Sequence, residues 1–300
     1  MENKPCLTVI CLTYNQEKYI AKALDGFVSQ KANSPFKVIV HDDASTDKTP
    51  EIIQEYAKRY PELIMPILEK ENLYSKGFDI LMTVLRPLID TKYVAFCEGD
   101  DYWCDDNKVQ LQLDYMENND DCVACVHNSS LIDEKGLSLQ RFINNESQDC
   151  DLSAETIIKS AGGGLFQTSS VFLRSSVLFE KPDCFAIKGI GDYPLAIYLS
   201  SRGRVHYLSR VMSCYRVNSI GSWSLKLKKD KKSRKAFFSD AISGLNAMNA
   251  YTNRRYDSAF KYAIKEFTFS RSGSFKKILL ALFDSDYRKI LESHYLARKQ

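Results

Sequence analysis

The feature that most limits what this chain can fold into is an alternation. Over its first 118 residues, apolar β-branched runs trade places with segments of helical periodicity. Cys6–Leu12 carries Thr8, Val9 and Ile10, and Glu17–Gln30 follows with Ile20, Leu24 and Phe27 at helical spacing. Phe36–Val40 is a second strand, and Lys48–Tyr60 is a helix with Ile52, Ile53, Tyr56 and Ala57 on one face. Leu63–Leu68 reads as a weaker strand, Phe78–Leu88 as a helix, Tyr93–Cys97 as a fourth strand, and Asn107–Asn118 as a helix. Strands joined through single helices predict an α/β fold with a mostly parallel, doubly wound, right-handed sheet.

The second half is less regular. Val123–Val126, Ser130–Ile132, Ser170–Leu173, Val205–Leu208 and Val211–Arg216 read as strands, and Asp192–Ser201 as a helix. Strand signals stop after Lys226, where Phe237, Phe238, Ala241, Ile242, Leu245 and Met248 mark one amphipathic helix and Phe275, Ile278, Leu279 and Leu282 another. The expected domains are therefore 1–223 and a helical extension, 224–300. Charge divides at the same place: the extension has 18 basic and 7 acidic residues, a net of +11, against −8 for the remainder. Such a tail suits an anionic partner, whereas the acidic body argues against a nucleic-acid role. No stretch approaches the roughly 20 apolar residues of a membrane span, and Met1-Glu2-Asn3-Lys4-Pro5 does not read as a secretory leader. Nine scattered cysteines, several in apolar runs, fit reduced core thiols in a cytoplasmic protein rather than a disulfide framework.

Polar residues collect where the strands end. Thr13-Tyr14-Asn15 follows the first strand, His41-Asp42-Asp43-Ala44-Ser45-Thr46-Asp47 the second, and Glu98-Gly99-Asp100-Asp101-Tyr102-Trp103 the fourth. In a parallel sheet these ends share one edge, the edge where ligands bind. Crowded carboxylates repel one another unless a cation or ligand offsets their charge; the alternative is a solvated acidic loop. Thr46 or Asp47 would cap the following helix. The Asp42-Asp43 pair lies too early to cap, and a carboxylate there would accept from a base N–H and a hydroxyl.

These three motifs, in this order and spacing, resemble the family 2 glycosyltransferases of the GT-A fold, over roughly residues 5–223. The resemblance implies inverting transfer of a sugar from a nucleotide donor, usually UDP-linked, with Mn²⁺ or Mg²⁺. It implies that Thr13, Tyr14 and Asn15 line the nucleoside pocket, that Asp42, beside Asp43, recognises the base, and that Glu98 and Gly99 continue the donor site. Asp100 matches the metal-binding aspartate of the D-x-D motif, with Asp101 beside it; Glu98 stands where the first aspartate is more usual. A hard divalent cation held by one or two carboxylates suits a diphosphate leaving group.

Gly189-Ile190-Gly191-Asp192-Tyr193-Pro194-Leu195 resembles the family's catalytic-aspartate segment, which makes Asp192 the general base; helix capping is the other reading of that residue. Gly162–Gly164 with Thr168 and Ser169 resembles the acceptor side, and those hydroxyls would also serve local backbone groups. Arg216 and Trp223 fall in what resembles the mobile loop, where Arg216 would approach the diphosphate and Trp223 cover the donor, or both would pack; Asn218 stands near a frequent histidine of that loop. The Gln-x-x-Arg-Trp signature of processive synthases is absent, which points to single-sugar addition. The acceptor expected is a saccharide or a lipid-linked saccharide in surface or exopolysaccharide synthesis. The basic tail is then either a peripheral contact with the inner membrane face, or a solvated extension or dimer contact. Two other functions compete. A nucleotidyltransferase would want a Gly-rich phosphate loop with Arg and Lys after the first strand, where Thr13-Tyr14-Asn15-Gln16 stands; a degenerate nucleotide-sugar-binding module would not need Asp42, Asp100, Asp101 and Asp192.

Overall fold

The computed structural model describes residues 4–162, 164–185, 191–217, 230–272 and 274–297. They form two compact units, each assembled from separate stretches of chain: Met1–Asp151, Gly164–Lys181 and Arg202–Ile220 in the first, and Leu152–Gly163, Pro182–Ser201 and Gly221–Gln300 in the second. The expected boundary at 223/224 lies outside the described residues.

The first unit runs β1 (Leu7–Thr13), α1 (Ile20–Val28), β2 (Phe36–Asp42), α2 (Thr49–Arg59), β3 (Ile64–Leu68), β4 (Tyr93–Phe96), β5 (Tyr102–Trp103), α3 (Lys108–Glu117), β6 (Cys122–Ile132), β7 (Ser138–Phe142), β8 (Cys150–Leu152), β9 (Phe172–Arg174) and β10 (Arg204–Arg216). The main path through the sheet is β3-β2-β1-β4-β9-β6-β10-β5. As the alternation predicts, β1 is parallel to β2 and β4, and β2 is parallel to β3. Beyond β4 the sheet is mixed. β9 is antiparallel to both β4 and β6, β10 is parallel to β6, and β5 is antiparallel to β10.

Within the parallel half, β1, β2 and β4 are buried on both faces, with Val9, Ile10, Val38, Ile39, Val94 and Ala95 essentially solvent-free, while the edge strand β3 is partly exposed. That explains their continuous apolar runs. Helix α1 turns Ile20, Leu24 and Phe27 inward, each burial being worth roughly 1.5–3 kcal/mol. It also comes unusually near β5, since a Cβ at Gly26 would lie 2.7 Å from the Trp103 carbonyl oxygen. The Phe27 ring meets the Trp103 ring edge-on at 5.0 Å.

Two expectations change. Phe78–Leu88 is a succession of short turns, Leu81–Leu85 and Arg86–Leu88, instead of one helix. Pro87 interrupts it, and only Ile80 and Leu85 of the segment are buried, so little packing favours a regular helix. The two strands expected at 123–132 are one, β6, despite the polar His127-Asn128-Ser129 in its middle. Two of the three find partners elsewhere in the fold: Asn128 bonds both ways with the Asn144 backbone, and the Ser129 hydroxyl lies 2.8 Å from that of Ser213 on β10.

The second unit is helical, with Ala154–Lys159, Asp192–Arg202, Lys231–Tyr251, Asp257–Arg271, Ser274–Phe283 and Ser285–Ala297. Asp230 caps the long helix by accepting from the Lys232 and Ser233 N–H groups at 2.9 and 3.3 Å. Its Ala241, Leu245 and Met248, together with Phe260, Ala263 and Phe267 of the next helix, form this unit's interior.

Candidate active site

Register brings the strand-end motifs together. The Cys97 and Gly99 N–H groups donate to the Ile10 and Leu12 carbonyls at 3.0 Å, so Glu98-Gly99-Asp100-Asp101 runs alongside the end of β1. On the other side of β1, Thr13 pairs with Asp42 in register. There is no room for a side chain at residue 99: a Cβ would run into Gln16 Oε1 and lie 3.0 Å from Ile20 Cδ1 and 3.1 Å from Thr13 Cβ.

Asp42 is buried, with its acceptors facing local donors. Oδ2 accepts from the Ser45 N–H at 2.9 Å, and Oδ1 from the Ser45 hydroxyl at 2.5 Å and the Thr13 hydroxyl at 3.4 Å. The loops after β1 and β2 are laced together. Asn15, in the left-handed region at φ 53°, donates its N–H to Ser45 Oγ at 2.7 Å and accepts from the Thr46 N–H at 2.8 Å. Asp47 takes the Glu17 and Thr49 N–H groups at 3.0 Å, the local structural role expected of it. The Tyr14 ring stands 46% exposed at this edge. Asp43 points elsewhere. Its carboxylate accepts from the Leu73 and Tyr74 N–H groups at 2.7 and 3.1 Å, closing the turn after β3.

The three carboxylates after β4 differ in burial. Glu98 is exposed, Asp100 half-buried and Asp101 buried. Asp101 Oδ1 accepts from the Arg216 N–H at 2.9 Å, and Oδ2 is buried with no hydrogen-bond partner. Burial pushes the Asp101 carboxyl well above the usual carboxylate range; Asp100 and Glu98 add to the rise and Arg216 opposes it. Among the described residues no group of three His, Cys, Asp or Glu side chains forms a ready metal cage. A hard cation shared with a diphosphate needs only one or two carboxylates, the rest of its shell being phosphate oxygens and water. The buried, unpartnered Asp101 oxygen and its acidic neighbours fit such a shared cation in donor type.

Arg216 is a structural strut here. Its Nε donates to the Asp100 carbonyl at 2.9 Å, its Nη1 donates to the Asp133 and Glu134 carbonyls at 2.9 and 3.0 Å, and the guanidinium lies 4.4 Å from the Tyr19 ring centroid. Behind it, the Trp103 indole N–H donates to the Ser169 carbonyl at 2.9 Å. Ser169 is fully buried with its hydroxyl 3.2 Å from that of Ser213, and Thr168 is half-buried. The fully buried Lys108 donates to Gln112 Oε1 at 2.7 Å and caps the Trp103 ring at 3.9 Å. Trp223 and Asn218 lie outside the described residues.

Two residues beyond the expected set belong to this edge. Ser45 holds Asp42 and Asn15 together, and its signal was its place inside the Asp-Asp-x-Ser-Thr-Asp stretch. Gln16 presents a buried Oε1 without a partner beside Gly99; no pattern in the sequence marks it.

In the second unit, Asp192 opens the helix Asp192–Arg202 and its Oδ1 accepts from the Tyr193 N–H at 2.7 Å. Burial raises its carboxyl above the usual range, and that N–H pulls it back in part. Tyr193 ties the helix start down by donating its hydroxyl to the Ile158 carbonyl at 2.5 Å. Gly162, at φ 84°, sits against the Tyr193 ring and borders a cavity of about 420 Å³, lined also by Ser160, Phe238, Tyr262, Glu266 and Phe267.

A mixed α/β sheet carrying acidic and hydroxyl side chains at the end of its parallel half, with C-terminal helices, is the architecture of a GT-A glycosyltransferase. The chain belongs to glycosyl transferase family 2, whose profile matches residues 8–172. An uncharacterized protein of Mycobacterium tuberculosis (strain ATCC 25618 / H37Rv) is 35% identical over 218 residues, covering 72% of this chain and 60% of that protein. The chain thus spans about 60% of the length of the curated mycobacterial relatives it matches. A putative teichuronic acid biosynthesis glycosyltransferase, TuaG of Bacillus subtilis (strain 168), is 30% identical over 141 residues, 47% of this chain and 53% of its own. The crystal structure of S. aureus TarS 1-349 in complex with UDP-GlcNAc superposes with a TM-score of 0.57 at 17% identity, over 97% of this chain and 92% of that one.

Proposed function

We propose that this glycosyltransferase moves a single sugar from a UDP-linked donor, with inversion, onto a saccharide or lipid-linked saccharide during surface or exopolysaccharide synthesis. The observation that carries the reading is the shared edge of β1, β2 and the 98–101 segment. There Asp42 pairs with Thr13, and the 98–101 segment, with the buried and unpartnered Asp101 Oδ2, runs along the other side of β1. The similarity to TarS, solved with UDP-GlcNAc, supports a UDP-sugar, and the similarity to TuaG supports a cell-surface polymer. The same reading puts the enzyme on the cytoplasmic side, with residues 224–300 in peripheral contact with the membrane that carries its acceptor.

Roles follow from chemistry. Tyr14 is exposed for stacking on a nucleobase, while Asp42, pre-set by Ser45 and Thr13, accepts from base or ribose donors. Thr13, Asn15 and Asp43 shape that pocket through the loops they bind, and Gly99 lets the 98–101 segment pack closely on Gln16, Ile20 and Thr13 beside it. Glu98, Asp100 and Asp101 would hold Mn²⁺ or Mg²⁺, which when bound supplies positive charge for the diphosphate. Asp192 takes the proton of the acceptor hydroxyl. That oxygen bonds to the anomeric carbon as the bond from that carbon to the diphosphate breaks, and nucleoside diphosphate leaves. The cavity bordered by Gly162 supports an acceptor site in the same unit as Asp192.

Calorimetric titration of UDP with and without Mn²⁺, on the wild type and on Asp100→Ala, tests this. Metal-dependent UDP binding that the variant loses is the expected result. No UDP binding in either condition would overturn the uridine assignment, and GDP and dTDP titrations would then show whether another nucleotide takes its place.

A further inference from the structure

The two helices that the sequence marks as amphipathic in the basic tail use their apolar faces differently. In Lys231–Tyr251 the apolar face is turned into the unit: Ala241, Leu245 and Met248 are fully buried, and Phe237 and Phe238 pack on Phe267 at 6.4 and 6.1 Å. In Ser274–Phe283 it is turned out. Ile278, Leu279, Leu282 and Phe283 are 57%, 47%, 64% and 83% exposed, while Ala281 is buried. Their spacing, i, i+1, i+4 and i+5, puts all four on one side of the helix. The next helix adds Leu291, Tyr295 and Leu296, again at i, i+4 and i+5 and exposed, around an inward Ile290. Single exposed apolar residues are ordinary on a soluble surface; contiguous apolar faces on two successive helices are not.

The charges beside this face are set for an anionic partner. Asp284 and Asp286 share Lys265 at 2.7 and 2.8 Å, and Glu266 meets His294 at 2.5 Å, so these acids are engaged with partners inside the unit. Arg288 and Lys289 are exposed, with Glu292 as the acidic residue of the outer turns. The segment from residue 224 onward is +11 overall, so a second copy of the tail would be repelled, whereas anionic headgroups would be attracted. No described helix is long and apolar enough to cross a membrane. A short apolar helix with basic flanks and a tyrosine at its margin suits the plane of a bilayer interface instead.

We propose that the exposed face of Ile278, Leu279, Leu282 and Phe283, with Leu291, Tyr295 and Leu296, docks on the surface of an anionic lipid bilayer. The contact deepens the reading of a membrane-linked acceptor, yet its test does not depend on sugar transfer. Co-sedimentation with phosphatidylcholine vesicles, with and without phosphatidylglycerol, is measured for the full chain and for the double variant Leu282→Asp, Phe283→Asp. Both positions are exposed, so circular dichroism and UDP titration should match the wild type. The expected result is binding to the anionic vesicles that weakens in high salt and falls at least roughly tenfold in the variant. Failure of the wild type to sediment with anionic vesicles, or equal binding by the variant, would refute the docking surface while leaving the donor site standing. Light scattering supplies the last arm: a wild-type dimer that the double variant dissolves would assign the face to a second copy and overturn the proposal.

Discussion

Arg216 offers the sharpest test, because its two readings predict different measurements. Read as a phosphate ligand, it would leave the fold indifferent to its loss. The structure makes it a strut: its side chain donates to three backbone carbonyls, on Asp100, Asp133 and Glu134, and covers Tyr19, while remaining 6% exposed. Arg216→Met keeps much of the volume and removes all three bonds. At the lower end of roughly 1.5–3 kcal/mol per charge-assisted bond, the loss is about 4.5 kcal/mol. For a unit of this size that corresponds to a fall in Tm of about 9–18 °C. Asp100 would lose its anchor too, so metal-dependent UDP affinity should fall in the same variant. Thermal denaturation paired with calorimetry of UDP and of UMP reads both effects. A variant with unchanged Tm that loses affinity for UDP but not for UMP would refute the strut and restore the diphosphate contact.

Two other predictions concern protons. Lys108 is fully buried, and burial brings its ammonium down to about 7 from the usual 10.5. The unfolded chain therefore binds more protons than the folded one between those values, so stability should rise with pH across that window and stay lowest below it. Denaturant midpoints from pH 6 to pH 10 should show this upward slope in the wild type and a flatter one in Lys108→Met; equal slopes would argue against the depressed lysine. Asp192, raised by burial, must be unprotonated to accept the acceptor's proton, so activity should fall as pH drops through its elevated value. Asp192→Asn should lower kcat by about 10²–10⁴ with UDP affinity unchanged, and a kcat within a few-fold of wild type would remove Asp192 as the base.

Much of the fold could be read locally. Strands β1 to β4 and helices α1 to α3 lie within a residue or a few of where the periodicity puts them, because a strand buried on both faces is an unbroken apolar run and a helix packed on one face repeats every three to four residues. Phe78–Leu88 misled for the same reason: its spacing is helical, but a proline and a lack of packing partners govern the outcome. His127-Asn128-Ser129 looked like a break between strands because partners that satisfy buried polar groups, Asn144 and Ser213, cannot be seen from within the run.

At the site the division is similar. Composition and order alone determined the α/β class, the three polar strand ends and the basic tail, since strand direction in a right-handed alternation obliges those ends to share an edge. Tertiary structure decided what each polar residue does. Asp42 and Asp43 are neighbours of the same type, yet one faces Thr13 and Ser45 and the other closes a turn 30 residues further on. Arg216 meets Asp100 across 116 residues. Two helices of similar amphipathic pattern turn their apolar faces in opposite senses, one inward to Phe267 and one outward to solvent. Periodicity records that a face is apolar, but only the packed chain determines whether anything is left to cover it.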